Sequence, residues 1–184
     1  MPTIFTELYH APCGDLILGG FNGRLCFCDW RPDRLPMLAR RLDAAVSTAP
    51  CVVTKEAARQ LQEYFAGERT AFTLPLLIEG TDFQKAVWHA LSAIPYGETI
   101  SYACLARRIG SANAVRAVGM ACGANRLSIF LPCHRVVGKG GTLTGYAGGV
   151  AAKRFLLDLE KAYFQRNGLD CRVPCLKRAR HRFR

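Results

Sequence analysis

The chain has 184 residues, half of them apolar, and a formal charge of +11. That length supports one large domain or two small ones, each with its own core. No apolar run reaches a membrane span, and residues 1–7 lack the basic head and apolar stretch of an export signal, so a cytosolic protein is expected. Excess Lys and Arg point to a polyanionic partner, because cations that neutralise phosphates release condensed counterions. Nine scattered cysteines with no export signal read as reduced thiols rather than a disulfide framework.

Residues 3–9, 15–21 and 24–30 are short alternating or apolar runs separated by Ala11-Pro12-Cys13-Gly14 and Asn22-Gly23, which are hairpin signals. A helical pattern over 55–66 has Thr54 as its cap, Ala58, Leu61 and Phe65 on one face, and Gly67 as its stop. A further strand over 72–78 leads to Glu79-Gly80-Thr81, where a small α+β N-terminal domain of residues 1–79 is expected to end. Beyond it, 80–166 form a mostly helical domain. Asp82 caps a helix with Phe83, Val87, Leu91 and Ile94 along one side until Pro95, and Gly97 turns the chain. Ser101 caps a helix over 102–109, stopped by Gly110, and Ser111-Ala112-Asn113 opens another over 114–122. Two short helices joined through a glycine-containing turn read as helix-turn-helix, with an ordinary helical hairpin as the alternative.

The helix over 114–122 has an unusual composition. Val115, Val118 and Cys122 form a core stripe, while Ala114, Ala117, Gly119, Ala121 and Gly123 are small and Arg116 is the only charge. A helix with ordinary side chains is about 10–12 Å across and the minor groove of DNA about 6 Å wide, so a helix that enters it needs a shaved surface. Close packing against a neighbouring element is the alternative for such a surface.

A strand over 128–131 then leads into Leu131-Pro132-Cys133-His134-Arg135-Val136-Val137. Pro132 fixes its own φ and pushes Leu131 toward extended geometry, so Cys133 is held with little freedom, as a nucleophile must be. A neighbouring imidazole or the cation of Arg135 favours the reactive thiolate. Two glycine-rich turns follow, Gly138-Lys139-Gly140-Gly141 and Thr144-Gly145-Tyr146-Ala147-Gly148-Gly149, where backbone can approach a ligand closely. The last helix, from 150 to about 166, carries Leu156, Leu159 and the carboxylate of Glu160.

Taken in order and spacing, Ser101-Tyr102, Arg116-Ala117-Val118-Gly119, Asn125, Pro132-Cys133-His134-Arg135-Val136, Gly145-Tyr146-Ala147-Gly148-Gly149 and Leu156-Leu157-Asp158-Leu159-Glu160 resemble the methylated-DNA-protein-cysteine methyltransferases. The resemblance covers residues 83–160; the N-terminal part agrees in length and layout with that family's RNase H-like domain. It implies direct-reversal DNA repair. Cys133 takes an alkyl group from guanine O6 and keeps it as a thioether, in one turnover. O4 of thymine is left open as a second target. By the same resemblance His134 accepts the thiol proton through a water, and Glu160 orients and charges the imidazole. Tyr102 donates a proton toward guanine N3, and Asn125 ties the recognition helix to the cysteine loop. Arg116 fills the space left by the extruded nucleotide, with Ala114, Ala117, Gly119 and Arg135 also at the DNA. Val136, Tyr146 and Ala147 line the base pocket. Some relatives have serine at Ala147, so only a backbone N–H can serve there, which bears on the alkyl groups accepted. Arg126 stands where many relatives have proline, and Met120 where many have glycine or alanine.

The implied partner is double-stranded DNA containing 6-O-alkylguanine, bound by a monomer, with cooperative assembly along DNA left open and a nucleoid-associated location if the source is bacterial. No cofactor is expected. Nor is a metal: Cys13, Cys26, Cys28 and His10 suggest zinc, and Cys26 and Cys28 would share a strand face, but the spacing of a structural zinc site is absent. Residues 167–184 carry six Lys and Arg against Asp170 and read either as a solvated basic tail or as a non-specific DNA contact. Cys171 and Cys175 read as a loose pair within it. The alternative to repair is an alkylated-base-binding protein of the alkyltransferase-like type, which lacks the cysteine.

Overall fold

A computed structural model describes residues 1–167, so the expected basic tail, apart from Asn167, lies outside the described residues together with Cys171 and Cys175. The chain opens with a meander of β1 (Thr3–Ala11), β2 (Gly14–Phe21) and β3 (Arg24–Asp29), paired antiparallel. At the turn between β2 and β3, Asn22 and Gly23 have φ of 48° and 74°. Two consecutive left-handed residues match the right-handed twist of the strands, and Asn-Gly reaches that geometry at least cost. Next come α1 (Leu35–Arg41) and β4 (Ala45–Ser47), which lies parallel to β1 and completes a sheet of order β3-β2-β1-β4. Neither was expected, because a seven-residue helix and a three-residue strand are too short to register as periodicity.

The helix α2 (Val52–Phe65) begins before the expected boundary, with Cys51 at its edge. Thr54 therefore sits inside the first turn, where its hydroxyl accepts from the Cys51 N–H at 2.9 Å and donates to the Cys51 carbonyl at 3.0 Å. It satisfies helix-end groups without being the cap. Ala57, Leu61 and Tyr64 are buried beneath the sheet. The expected strand over 72–78 crosses the edge of β3 at a single bridge, Leu25 to Leu76. Leu25 donates to the Pro75 carbonyl and Leu77 donates to the Leu25 carbonyl, but Pro75 has no N–H with which to extend the ladder.

The helical half holds α3 (Asp82–Ser92), β5 (Ile100–Ser101), α4 (Tyr102–Arg108), α5 (Val115–Gly123), β6 (Val136–Val137) and α6 (Gly149–Arg166). Thr81, rather than Asp82, caps α3: its hydroxyl accepts from the Gln84 N–H and the Gln84 side chain accepts from the Thr81 N–H. Ser101 caps α4 as expected, accepting from the Cys104 N–H at 3.1 Å. The α4–α5 pair packs against α3 through Val87, Leu91, Leu105 and Val118.

Residues 128–131 do not form the expected strand. Cys28 of β3 donates to the Arg126 carbonyl and accepts from Ser128, after which the chain folds back so that Leu131 donates to the Leu127 carbonyl at 2.8 Å. Ile129 takes φ of 72°, a region that costs a β-branched residue about 1–3 kcal/mol. The run is apolar because Ile129, Phe130 and Leu131 are enclosed, not because it pairs. One core extends from Leu16 and Leu18 of β2 through α2 and α3 to Leu156 of α6, so the sheet and helical halves share it. A smaller cluster of Ile4, Phe21, Cys26, Phe27, Leu38 and Ala39 lies between the sheet and α1.

That division overturns the expectation that Cys26 and Cys28 share a face. Gly19 pairs with Phe27 and Gly20 with Leu25, so Cys26 is the extra residue of a bulge and packs in the smaller cluster, whereas Cys28 packs in the main core. Among the described residues no group of three or more His, Cys, Asp or Glu side chains could hold a metal ion, and no helix is long and apolar enough to cross a membrane.

Candidate active site and nucleic-acid interface

Cys133 opens a single 3-10 turn, Cys133–Arg135, directly after Pro132. The residue is buried, 6 % exposed. Asn125 fixes this turn with every polar atom of its side chain: Nδ2 donates to the Leu131 carbonyl at 2.9 Å and to the Cys133 sulfur at 3.3 Å, while Oδ1 accepts from the Leu127 N–H at 2.9 Å. Asn125 lies just past the Ala124 cap of α5, so the helix and the thiol are held in one frame. Burial pushes the Cys133 pKa up, opposed by the Asn125 hydrogen bond and the nearby Lys153 ammonium. The sulfur rests as a thiol.

Glu160 reaches this turn from α6 and is wholly buried. It accepts from His134 Nε2 at 2.7 Å, the Tyr64 hydroxyl at 2.7 Å and the Gly97 N–H at 2.9 Å. Arg135 adds a two-pronged contact, with Nε 3.0 Å from one carboxylate oxygen and Nη2 3.0 Å from the other. Burial alone would raise the Glu160 carboxyl, but His134 and the Arg135 guanidinium outweigh it and hold the group well below the usual carboxylate range. Burial likewise pushes the His134 imidazole down, against the opposing pull of Glu160. With Nε2–H on Glu160, Nδ1 is the unprotonated nitrogen, and it is buried without a protein partner among the described residues.

Arg135 is expected from the sequence to meet DNA, and the structure corrects this. The side chain is 8 % exposed; besides Glu160 its Nη1 donates to the Ile94 carbonyl at 2.6 Å, and the guanidinium stacks 5.5 Å from the Tyr96 ring. A buried cation is held where its counter-charge lies, and here that is Glu160.

Lys153 is a buried side chain of the site that sequence reading misses. It is wholly buried, with Nζ donating to the Val136 carbonyl at 2.7 Å and the Thr144 carbonyl at 3.2 Å, and it sits 5.7 Å from the centre of the Tyr102 ring. Burial lowers its pKa, while Cys133 and Cys122 pull the other way. The available signal was its spacing: Lys153 shares an inward stripe with Leu156, Leu157 and Glu160, where a lysine has no place unless it is paired.

The parallel pairing of β5 with β6, Ile100 with Val136 and Ser101 with Val137, brings the start of α4 and Tyr102 beside the strand that follows the thiol turn. Tyr102 is half-buried; burial raises its hydroxyl pKa, and a hydrogen bond with Thr144 partly offsets this. Val136 is buried, and Tyr146 and Ala147 are half-buried on the loop that follows. On α5, Val118, Ala121 and Cys122 point inward, and the Trp88 indole N–H donates to the Ala121 carbonyl at 2.8 Å. The outward face carries Arg116, Ala117, Met120 and Gly123, with Ala114 and Gly119 half-exposed, and Arg107 and Arg108 are exposed at the end of α4.

Comparison with known proteins agrees with this geometry. Residues 4–78 match the family described as "6-O-methylguanine DNA methyltransferase, ribonuclease-like domain", and residues 82–162 match its "DNA binding domain". A methylated-DNA–protein-cysteine methyltransferase of Methanosarcina acetivorans is 56% identical over 157 residues, covering 85% of this chain and 98% of that one. The constitutive enzyme of the same name from Bacillus subtilis is 58% identical over 111 residues, 60% of this chain and 67% of its own. The crystal structure of Mycobacterium tuberculosis OGT in complex with DNA superposes with a TM-score of 0.72 at 42% identity, covering 88% of this chain and 94% of that one.

Proposed function

The chain belongs to the 6-O-methylguanine DNA methyltransferase family, and on that premise we propose that it repairs DNA by direct reversal, moving the alkyl group of a 6-O-alkylguanine onto Cys133. The observation that carries this reading is a thiol held by Asn125 beside a buried His134–Glu160 pair.

The sulfur is a resting thiol, so transfer needs a base. His134 Nδ1 takes the thiol proton through a water, and Glu160, fixed by four partners, balances the imidazolium that forms. The thiolate attacks the alkyl carbon, a C–S bond forms, and the C–O6 bond breaks with its electron pair passing to guanine. Tyr102 delivers a proton toward guanine N3, and neutral guanine leaves. The imidazolium then gives up the thiol proton, which returns through solvent to the Tyr102 phenolate, so no net proton is gained or lost by the protein beyond the one carried off by guanine. A thioether offers water no easily displaced group, so each chain acts once. Lys153 assists by stabilising the thiolate and by tying β6 to the Thr144 loop.

The target nucleotide has to leave the stack at a cost of a few kcal/mol. Arg116 fills the gap, and the small residues Ala114, Ala117 and Gly119 allow the backbone of α5 to approach the groove. Val136, Tyr146 and Ala147 receive the base. The chain acts as a monomer on double-stranded DNA, with a sheet domain of residues 1–79 and a DNA-binding domain of residues 80–166.

Mixed with duplex DNA carrying one 6-O-methylguanine, the protein is expected to gain one methyl mass on the peptide bearing Cys133. Cys133→Ser should keep DNA binding and transfer nothing. Repeated turnover, or lesions that vanish while Cys133 stays unmodified, overturns the reading.

A further inference from the structure

Trp30 is the first residue after β3, in the sheet half, yet its indole lies against the loop that carries Tyr146 and Ala147. The Tyr146 ring meets it edge-on, with centroids 5.2 Å apart and planes at 60°. A Cβ built on Gly148 would fall 2.7 Å from the indole, closer than real side chains approach. Gly148 has ordinary right-handed torsions, φ of −84° and ψ of 6°, so the indole and not the backbone requires glycine there. At its Cδ1–Nε1 edge the indole abuts Gly14, at the start of β2, where a Cβ would lie 3.4 Å away. Its base is fixed as well: the adjoining Asp29 is wholly buried and accepts from Arg34 and from the Arg31 N–H.

We propose that Trp30 is a positioning residue for substrate selectivity: it is the wedge by which the N-terminal sheet holds the Tyr146–Gly148 segment against the base pocket and limits the size of alkyl group that fits. The inference rests on the reading of that loop as the pocket wall. Neither the Trp30 N–H nor the Tyr146 hydroxyl has a protein partner among the described residues, so no hydrogen bond joins the two rings; Lys153 holds the loop at Thr144, and two residues further on the Tyr146 ring rests against the indole by contact. Truncating the indole leaves space behind the loop into which Tyr146 can retreat, and a pocket that can retreat discriminates less by size.

The test compares second-order rates of Cys133 alkylation by duplex 6-O-methylguanine and by the bulky free base 6-O-benzylguanine. Trp30→Ala is expected to raise the benzyl-to-methyl ratio by about tenfold, the scale on which one group's fit in an apolar pocket is usually felt. Trp30→Phe should restore most of the wild-type ratio. Gly148→Ala should slow both reactions in the wild-type background and do so much less in the Trp30→Ala background, since the clash partner is then gone. An unchanged ratio in both Trp30 variants, or an equal effect of Gly148→Ala in both backgrounds, refutes the wedge. If wild-type protein gains no alkyl mass on Cys133 from either substrate, the underlying pocket reading fails instead.

Discussion

The charge cluster around Glu160 and the outward face of α5 lie in the same half of the molecule and are built by opposite rules. Around Glu160 every charged group is enclosed and paired: the carboxylate accepts from His134, Arg135, Tyr64 and Gly97, and Lys153 spans two carbonyls. On the outward face of α5 the side chains have been pared away except for Arg116 and Met120, which stand exposed. Enclosure keeps protonation states away from their solution values, which acid–base chemistry at a thiol requires. An open, small-residue surface holds no buried charge pair, and its contacts remain available to a partner. The first region should therefore be sensitive to mutation through stability, and the second through function alone.

The sharpest way to break that contrast is Glu160→Ala. It leaves the Arg135 guanidinium buried without its counter-charge, and breaking such a pair costs about 3–5 kcal/mol. Urea unfolding should report a loss of that size together with loss of transfer; a change within the noise of surface substitutions would mean that the cluster is not enclosed in solution.

Acid provides a smaller, graded version of the same test. The His134 pKa in the folded protein lies below its ordinary value of about 6.5, so between the two the unfolded chain holds a proton that the native chain does not, and stability falls as pH drops below about 6.5. The neutral imidazole also persists through that range, so the transfer rate should stay level through pH 6.5 and decline further down. Thermal melts of wild type and His134→Gln across pH 7.5 to 5 should differ in slope, with the shallower slope in the variant; parallel slopes would place the imidazole outside the enclosed cluster.

The smallest effect on the fold belongs to Arg116→Ala. Stability should stay within about 0.5 kcal/mol of wild type, and reaction with free 6-O-benzylguanine should be unchanged, while repair of 6-O-methylguanine in duplex slows. An equal loss on both substrates removes its role in extruding the base. Duplex affinity should also weaken as salt rises, because the basic face competes with counterions for phosphate.

What could be read from the residues alone was local chemistry. Asn22-Gly23 announced a hairpin because a two-residue left-handed turn has few other solutions, Ser101 announced a helix start through its hydroxyl, and the Pro132-Cys133-His134 order announced a held thiol. Patterns that depend on what lies opposite in space were misread. The run 128–131 looks like a strand because it is apolar, but it bridges to Cys28 only at its start and then turns back through Ile129 so that Leu131 donates to Leu127. Arg135 has the composition of a DNA contact and the position of a core cation. Lys153 in α6 and Trp30 after β3 became functional candidates only once the fold set them against Val136 and Gly148. A sequence fixes torsional preferences and donor chemistry residue by residue, but whether a charge is exposed or paired depends on distant elements that only tertiary packing brings together.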